Sequence, residues 1–192
     1  NLDSNLLPES INWVDKGAVT PVKDQGQCGS CWSFSTTGAL EGAYYIKNGI
    51  LESFSEQQLV SCDNLRNDGK DHGCHGGLMD NAFQWIENNG GLCSENDYPY
   101  VSGNTKQSEN CINSCDIIDN SIVLDYFDVS PNSDLDMMTA ISEQPVSIAI
   151  QADSRDFQLY SSGVFTADCG TNLDHGVLVV GYGSENGEDY YL

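Results

Sequence analysis

The sequence predicts an α+β protein made of two lobes with a cleft between them. Helix-like segments occupy the N-terminal half of the chain, whereas β-branched, strand-like runs occupy the C-terminal half. A change from helical to β-rich character along one chain is typical of α+β architectures. Ligand sites form preferentially in clefts between such units, so we expect the chemistry of the protein to lie there.

Helices are predicted at three places in the N-terminal half. The first covers residues 30–47, where apolar residues recur at helical spacing, and Asn48-Gly49 ends it. A second, short helix runs through Ser61 and opens on Ser55-Glu56-Gln57-Gln58, which has the pattern of a capping box. The third helix covers residues 78–87.

Strands are predicted after a polar connection at residues 102–121. Residues 146–150 and 177–182 are rich in β-branched side chains and are bounded by turn residues, which favours strands. Residues 183–187 are typical of a hairpin loop, and residues 189–192 would form the returning strand.

The charge of the chain excludes several classes of partner. Against 29 Asp and Glu stand 7 Lys and Arg, for a formal net charge of −22. Such a surface repels phosphates, so we expect no nucleic acid partner, and an anionic membrane surface is disfavoured for the same reason. No stretch approaches the ~18 consecutive apolar residues that span a bilayer, so we expect no membrane insertion.

The cysteine content points to the secretory pathway. Eight cysteines in 192 residues, together with 19 glycines, predict a disulfide-stabilised protein from an oxidising compartment. The first residues lack the basic and apolar regions of a signal peptide, so for a secretory protein we expect this start to be a processed one.

Cys31 is the candidate nucleophile. It falls in the first turn of the first predicted helix, where the positive end of the helix dipole favours thiolate over thiol. Thiolate is the reactive form, and it needs a base. His72 and His75 lie in a predicted loop, whereas His175 precedes an apolar strand and is the best candidate for the partner of Cys31.

Cys28-x-x-Cys31 also fits other chemistry. The same spacing occurs in thiol–disulfide oxidoreductases, where the two sulfurs would titrate as a coupled pair, and in metal sites. A zinc site would need a second matched pair, and neither Cys111-x-x-x-Cys115 nor Cys74 with its flanking histidines provides one. We therefore expect no metal and no cofactor.

Longer motifs decide between these alternatives. Gln25-x-x-Cys28-Gly29-Ser30-Cys31-Trp32 and Gly73-Cys74-His75-Gly76-Gly77 resemble the papain family of cysteine peptidases, in its cathepsin L-like branch. His175 follows Cys31 within the roughly 130–150 residues expected for the family's histidine. Matching segments cover essentially the whole chain, at residues 18–26, 55–63, 98–100, 144–147, 157–160 and 174–176.

The resemblance implies the fold and its division. It implies one peptidase unit over residues 1–192, with the papain-like arrangement of a helical left lobe and a β-barrel-like right lobe around an active-site cleft. The helical lobe would be residues 14–125. The β-rich lobe would combine residues 1–13 with residues 126–192.

It also implies the catalytic roles. Cys31 would attack the substrate as a thiolate, paired with the imidazolium of His175, and form an S-acyl-enzyme. The side-chain amide of Gln25 and the backbone N–H of Cys31 would stabilise the oxyanion of the tetrahedral intermediate. The resemblance therefore implies a cysteine endopeptidase that is active at acidic pH.

Substrate recognition follows by the same resemblance. Gly76 and Gly77 would leave backbone free to pair with an extended peptide. The pocket for the side chain two residues before the cleaved bond (P2) should accept bulky hydrophobic or aromatic groups, because its walls would be Leu78, Met79, Ala149 and Leu173, with Asp174 nearby.

The cysteine pairing is implied in part. The resemblance pairs Cys28 with Cys74 and Cys62 with Cys111, and we add Cys93–Cys115 as a bridge that the family pattern does not supply. Cys169 is left over, and its family partner would lie beyond Leu192, as would the family's Asn-Ser-Trp motif. We therefore expect the chain to be truncated at its C-terminus.

Partners and location complete the expectations. The resemblance implies peptide and protein substrates, an inhibitory propeptide in a zymogen, cystatin-like inhibitors, a monomer, and a lysosomal, vacuolar or secreted location. An alternative function is that of a catalytically impaired homologue that acts only as a peptide- or inhibitor-binding module.

Overall fold

The computed structural model describes residues 7–192 and has the predicted α+β fold. Residues 1–6, which were expected to join the β-rich lobe, lie outside the described residues. The helices are α1 Cys31–Asn48, α2 Glu56–Cys62, α3 Met79–Asn89, α4 Ser102–Thr105, α5 Asp134–Glu143 and α6 Arg155–Gln158, with a 3₁₀ turn at Leu65–Asn67. The strands are β1 Ile11–Asn12, β2 Val146–Ile150, β3 His175–Val179, β4 Gly181–Glu185 and β5 Glu188–Tyr191.

The three predicted helices form within two residues of their expected bounds. Gly49 ends α1 with a φ of 72°, and its N–H donates to the carbonyl oxygen of Tyr45 at 2.8 Å. At the start of α2 the Ser55 hydroxyl accepts from the Gln58 N–H at 3.0 Å. The Gln58 side chain accepts from the Cys93 N–H instead of returning to Ser55, so only half of the predicted capping box forms.

The apolar run at residues 177–182 was expected as one strand, and this was wrong. Val180 separates β3, which pairs antiparallel with β2, from β4, which lies between β1 and β5. The run therefore passes from a two-stranded sheet into a three-stranded one. A β-branched run reports strand propensity but does not say which partners each part of it will find.

The hairpin loop is shorter than predicted. Gly183 pairs with Tyr190 inside the β4–β5 ladder, and the turn consists of Asn186 and Gly187 alone, with φ values of 54° and 86°. Two left-handed residues suit the right-handed twist of the flanking strands. Helix α5 was not predicted; the Ser133 hydroxyl caps it by accepting from the Asp136 N–H at 3.2 Å.

Two hydrophobic cores lie on either side of α1. The first is built mainly from α1, α2 and α3 and includes Trp32, Phe54, Leu59, Ile86 and Leu92. The second joins the sheet of β1, β4 and β5 to α5 and includes Ile11, Trp13, Ala18, Ile141, Val179 and Tyr182. The exact boundary of the two predicted lobes stays a prediction.

Small residues let the β2–β3 sheet approach α1 closely. The Ser35 hydroxyl donates to the Val177 carbonyl at 2.7 Å, and the Ser147 hydroxyl donates to the Ser35 carbonyl at 2.8 Å. A Cβ on Gly38 would lie 2.8 Å from Leu178 Cδ2, and one on Gly42 would lie 2.5 Å from Pro145 Cγ. This close packing brings the start of β3 to the start of α1.

Three disulfides connect the loops: Cys28–Cys74, Cys62–Cys111 and Cys93–Cys115. Within residues 7–192, Cys31 and Cys169 remain as free thiols. None of the helices in this range combines the length and the apolar character that crossing a bilayer requires.

Candidate active site

The thiol of Cys31 sits at the first residue of α1 and is half-buried. The loop before it is fixed by the Cys28–Cys74 disulfide and by the Gly29 N–H, which donates to the Cys74 carbonyl at 2.9 Å. Because Cys28 is bonded to Cys74, it does not form a dithiol with Cys31. The geometry therefore favours a single reactive thiol at a helix N-terminus over a redox pair.

His175 begins β3, and its chain neighbour contacts the thiol. The Gly176 N–H donates to Cys31 Sγ at 3.4 Å, across 145 residues of sequence. A Cβ on Gly176 would lie 3.0 Å from Met79 Sδ and 3.4 Å from Trp32 Cα, so only glycine allows this approach without displacing a neighbour. The structure thus places the histidine-bearing strand end directly against the cysteine-bearing helix end.

Gln25 lies beside the loop that leads to Cys31. Its Nε2 donates to the Cys28 carbonyl at 2.9 Å, and its own carbonyl accepts from the Tyr100 hydroxyl at 2.8 Å. The Tyr100 hydroxyl also lies 2.7 Å from the Ser30 hydroxyl, one residue before the nucleophile. Both the backbone and the side chain of Gln25 are therefore positioned by contacts to the segment at the helix start.

A buried ionic cluster anchors the chain just before Gln25. Lys23 Nζ lies 2.7 Å from Glu41 Oε1 and 2.6 Å from Glu56 Oε1. Burial lowers the pKa of Lys23, but the two carboxylates outweigh it and the net shift is upward. Burial raises the pKa of Glu41, against the stabilising effect of Lys23. The ammonium therefore stays charged and ties this segment to α1 and α2.

A second pair of carboxyls adjoins this cluster. Glu95 Oε1 accepts from the Tyr100 N–H at 2.7 Å, and its side chain lies near that of Glu56. Burial, with the Glu56 charge as a further cause, raises the pKa of Glu95 to about 7. Glu95 therefore keeps its proton up to about neutral pH, and it contacts Tyr100, whose hydroxyl donates to the Gln25 carbonyl.

The predicted peptide-binding segment runs along one side of the thiol. Gly76 has a φ of +107° and open space where a side chain would be. Gly77 is enclosed, since a Cβ there would lie 2.6 Å from the Trp32 ring and 2.8 Å from Asp71 Cγ. Leu78 follows with 62% of its surface exposed, and Met79 packs against the first core.

The other predicted pocket residues come from the β2–β3 sheet. Ala149 pairs with Gly176 across the two strands and is exposed. Leu173 is 64% exposed. Asp174 is occupied by backbone contacts at the end of β2, because its N–H donates to Ile150 and its Oδ1 accepts from the Ala152 N–H at 2.7 Å. Met79 and Ala149 thus both lie next to Gly176, whose N–H contacts Cys31 Sγ.

Sequence reasoning missed the groups that hold these residues in place. Asp71 accepts from the Leu78 N–H and from the Asn81 side chain, both at 3.0 Å, and it is 2% exposed. Asp63 is fully buried beside it. An aspartate in a polar loop normally faces water, so no local signal in the sequence distinguishes these two from the many exposed acids.

Other candidate sites do not coincide with this one. A cavity of about 980 Å³ lies near α5, β4 and β5 and is lined by Phe157, Phe165, Tyr182 and Tyr191 among others, but by none of the predicted site residues. Over residues 7–192, no cluster of three or more His, Cys, Asp or Glu side chains is arranged to hold a metal ion.

Residues 7–192 match the family model described as "Papain family cysteine protease". The chain is 53% identical over 187 residues to a "Probable cysteine protease RD21C" of Arabidopsis thaliana, covering 97% of this chain and 40% of that protein. It is 50% identical over 195 residues to the "Cysteine proteinase EP-B 1" of Hordeum vulgare, covering 99% of this chain and 50% of that protein. The chain therefore spans about two fifths to one half of the length of these relatives.

Solved structures show the same fold. The bromelain protease from Ananas comosus, in complex with the E64 inhibitor, superposes with a TM-score of 0.86 at 40% identity and covers 96% of this chain and 81% of its own. The proform of Amb a 11, a cysteine protease and ragweed pollen allergen, superposes with a TM-score of 0.87 at 40% identity and covers 99% of this chain and 56% of its own.

Proposed function

The chain belongs to the papain family of cysteine proteases, and from this premise we propose that it is a cysteine endopeptidase with Cys31 as nucleophile and His175 as its base. The observation that carries the proposal is the 3.4 Å contact between the Gly176 N–H and Cys31 Sγ. This contact sets the start of β3, where His175 lies, against the N-terminus of α1. The helix dipole and an adjacent imidazolium both favour the thiolate.

The proposed reaction proceeds through an acyl-enzyme. The Cys31 thiolate attacks the peptide carbonyl, and the oxyanion accepts hydrogen bonds from the Cys31 N–H and from Gln25 Nε2. One Nε2 hydrogen already donates to the Cys28 carbonyl, which leaves the other for the oxyanion. Protonated His175 delivers its proton to the leaving amine, and the neutral imidazole then activates the water that releases the acid.

The proposed specificity is for bulky apolar side chains at P2. Support comes from three exposed apolar residues on segments that reach the thiol: Leu78 follows Gly77 on the Trp32 ring, Ala149 pairs with Gly176, and Leu173 lies two residues before His175. A substrate side chain that covers these groups removes apolar surface from water, at about 25 cal/mol per Å². The open space at Gly76 would let an extended peptide approach the backbone there.

The proposed partners and location follow from the relatives. One structural neighbour is a proform and another holds an inhibitor, which supports a propeptide and inhibitor binding for this chain as well. We extend this to cystatin-like inhibitors and to a monomer in a vacuole, a lysosome or the extracellular space. The three disulfides support passage through an oxidising compartment.

Alkylation by an epoxide peptide inhibitor tests the catalytic pair. We expect a single adduct on Cys31, mapped by mass spectrometry, while the free thiol of Cys169 stays unmodified. The adduct should be lost in His175→Ala and retained in His72→Ala, because His72 is an exposed loop histidine. A folded chain that forms no adduct would overturn the catalytic proposal and favour a peptide- or inhibitor-binding module.

A further inference from the structure

Two buried aspartates lie directly beneath the proposed peptide-binding segment. Asp63 follows the last residue of α2 and Asp71 precedes the Cys74 disulfide; they are 0% and 2% exposed. The Asp71 carboxyl lies within hydrogen-bonding reach of the Asp63 carboxyl. Asp63 Oδ2 and Asp71 Oδ2 find no other partner among residues 7–192. Two acceptor oxygens can share a hydrogen bond only if one of them carries a proton.

The other carboxyl oxygen of each aspartate, Oδ1, accepts a hydrogen bond from a backbone N–H. Asp63 Oδ1 accepts from the Lys70 N–H at 3.0 Å. Asp71 Oδ1 accepts from the Leu78 N–H at 3.0 Å, and Asp71 Cγ lies against Gly77. Gly77 in turn packs on the ring of Trp32, the residue after the nucleophile. A displacement of Asp71 would therefore act directly on the peptide-binding segment and, through Asn81, on α3.

We propose that Asp63 and Asp71 form an acid–carboxylate pair whose single proton holds Gly77 and Leu78 in the conformation that binds peptide, so that both are positioning residues. This inference rests on the proposed function, because it concerns the substrate segment of that same site. Loss of the proton would leave two carboxylates facing each other in a buried position, and their repulsion would displace the segment.

Among residues 7–192, no cation is placed to compensate the second charge. Burial, and then the neighbouring Asp71, raise the pKa of Asp63 from 3.8 to about 8. Lys70 directs its Nζ to Gln84 Oε1 at 3.2 Å, and Glu56 on α2 is paired with Lys23. From α3 and α1 the neighbours are Asn81 and Trp32, which carry no charge. The remaining charged groups of this loop and of α3 are exposed: Arg66, Asp68, His72, His75, Asp80 and Glu87.

Peptide affinity as a function of pH tests the proposal. The protein carries Cys31→Ala so that nothing is cleaved, and the probe is a fluorescent peptide with a phenylalanine at P2. We expect its Kd, measured by anisotropy, to rise up to about tenfold between about pH 6 and about pH 9, the limit for one proton with this pKa. Thermal melting at both pH values checks that the protein stays folded.

Two amide substitutions mimic the protonated pair. Asp63→Asn supplies a permanent N–H donor to Asp71, and Asp71→Asn supplies one to Asp63 while retaining an acceptor for the Leu78 N–H. Each should reduce the ratio of the two Kd values to near one. Asp68→Asn makes the same chemical change at an exposed carboxylate of the same loop and should keep the parental ratio.

An infrared difference spectrum provides a readout that needs neither binding nor catalysis. The parent minus Asp63→Asn should show the carbonyl band of a protonated carboxylic acid near neutral pH. A missing band, or a Kd that does not change with pH in the parent, overturns the acid–carboxylate pair. If the acid–carboxylate pair is overturned but the epoxide adduct on Cys31 still forms, only this inference fails and the proposed peptidase stands. If no adduct forms but the Kd ratio changes with pH as expected, the catalytic proposal fails and the acid–carboxylate pair stands.

Discussion

Gly176 determines how closely the histidine-bearing strand approaches the thiol. A Cβ there would lie 3.0 Å from Met79 Sδ, whereas its 3.5 Å separation from the Cys31 carbonyl oxygen is an ordinary contact. Because Met79 packs against the first core, we expect the strand end to take up part of the adjustment of a few tenths of an ångström. Since a misplacement of 1 Å can cost about a hundredfold in rate, we expect Gly176→Ala to slow alkylation of Cys31 by a small reagent such as iodoacetamide about tenfold near pH 6.

The double variant Gly176→Ala with Met79→Ala is the control for this expectation. It removes the 3.0 Å contact and leaves the ordinary contacts to Trp32 and Cys31. Recovery of the alkylation rate would assign the defect to steric displacement of β3. An unchanged rate in Gly176→Ala alone would show that the approach of this strand does not activate the thiol.

Gln25 carries a prediction about turnover. Removal of one oxyanion donor typically costs about 10²–10³ in kcat, so we expect Gln25→Ala to lower kcat by about two orders of magnitude. Alkylation of Cys31 by iodoacetamide generates no oxyanion and should change far less. A parallel loss in both assays would mean that Gln25 acts by holding the Cys28 loop, to which it is bonded at 2.9 Å, instead of by stabilising the oxyanion.

Single residues differ in how far their roles could be predicted from the sequence. Cys31 and His175 could be proposed as a pair because their motifs are specific, and their roles stay a prediction, although the structure sets their chain segments together. Asp63 and Asp71 could not, because their role depends on burial and on each other, and neither is encoded in local pattern. The same holds for Gly176, whose need for a bare Cα arises from contacts to distant residues.

At the scale of elements, two glycines on the same face of α1 differ in how much space their neighbours leave. Gly38 and Gly42 both meet the β side, but Gly38 faces the flexible end of Leu178 and Gly42 faces the rigid ring of Pro145. Inside a helix, alanine stabilises the folded state by about 1 kcal/mol relative to glycine. We expect Gly38→Ala to be near neutral because the leucine can rotate away, whereas Gly42→Ala should destabilise by about 2 kcal/mol through overpacking.

Urea unfolding followed by circular dichroism measures this difference, and the two variants control for each other. Both add one methyl group to the same helix. Equal changes in the free energy of unfolding would mean that the approach of α1 to the β side is looser than the 2.5 Å and 2.8 Å separations imply.

Elements with strong local signals were predicted well, and elements defined by partners were not. The bounds of β2 match the expected residues 146–150 because turn residues end the run on both sides. The break at Val180 depends on which sheet each half of the run joins, and it follows from pairing with β1 and β5. Helix α5 was missed although its apolar residues Met137, Met138 and Ile141 recur at helical spacing, and burial of these residues in the second core stabilises it.

For the whole molecule, the net charge of −22 and the buried carboxyls should both make the folded protein more stable at acidic pH. The pKa values of Asp63 and Glu95 are raised in the folded state to about 8 and about 7, mainly by burial. A carboxyl with a raised pKa contributes its full stability below its unfolded pKa and loses it as pH rises through the folded value. Stability should therefore fall from about pH 4 to about pH 8, and the midpoint of thermal unfolding should be several degrees higher at pH 5 than at pH 8.

Salt separates the two causes of this fall. Surface repulsion is screened because the Debye length shrinks from about 10 Å at 0.1 M salt to about 3 Å at 1 M, whereas buried pairs are screened much less. We expect high salt to remove only part of the difference between the two pH values. The remainder should disappear in Asp63→Asn with Glu95→Gln, where each amide donates to the orphaned oxygen of its partner, Asp71 Oδ2 or Glu56 Oε2. If salt alone removes the whole difference, the acid preference belongs to the surface charge and the buried pairs do not titrate in this range.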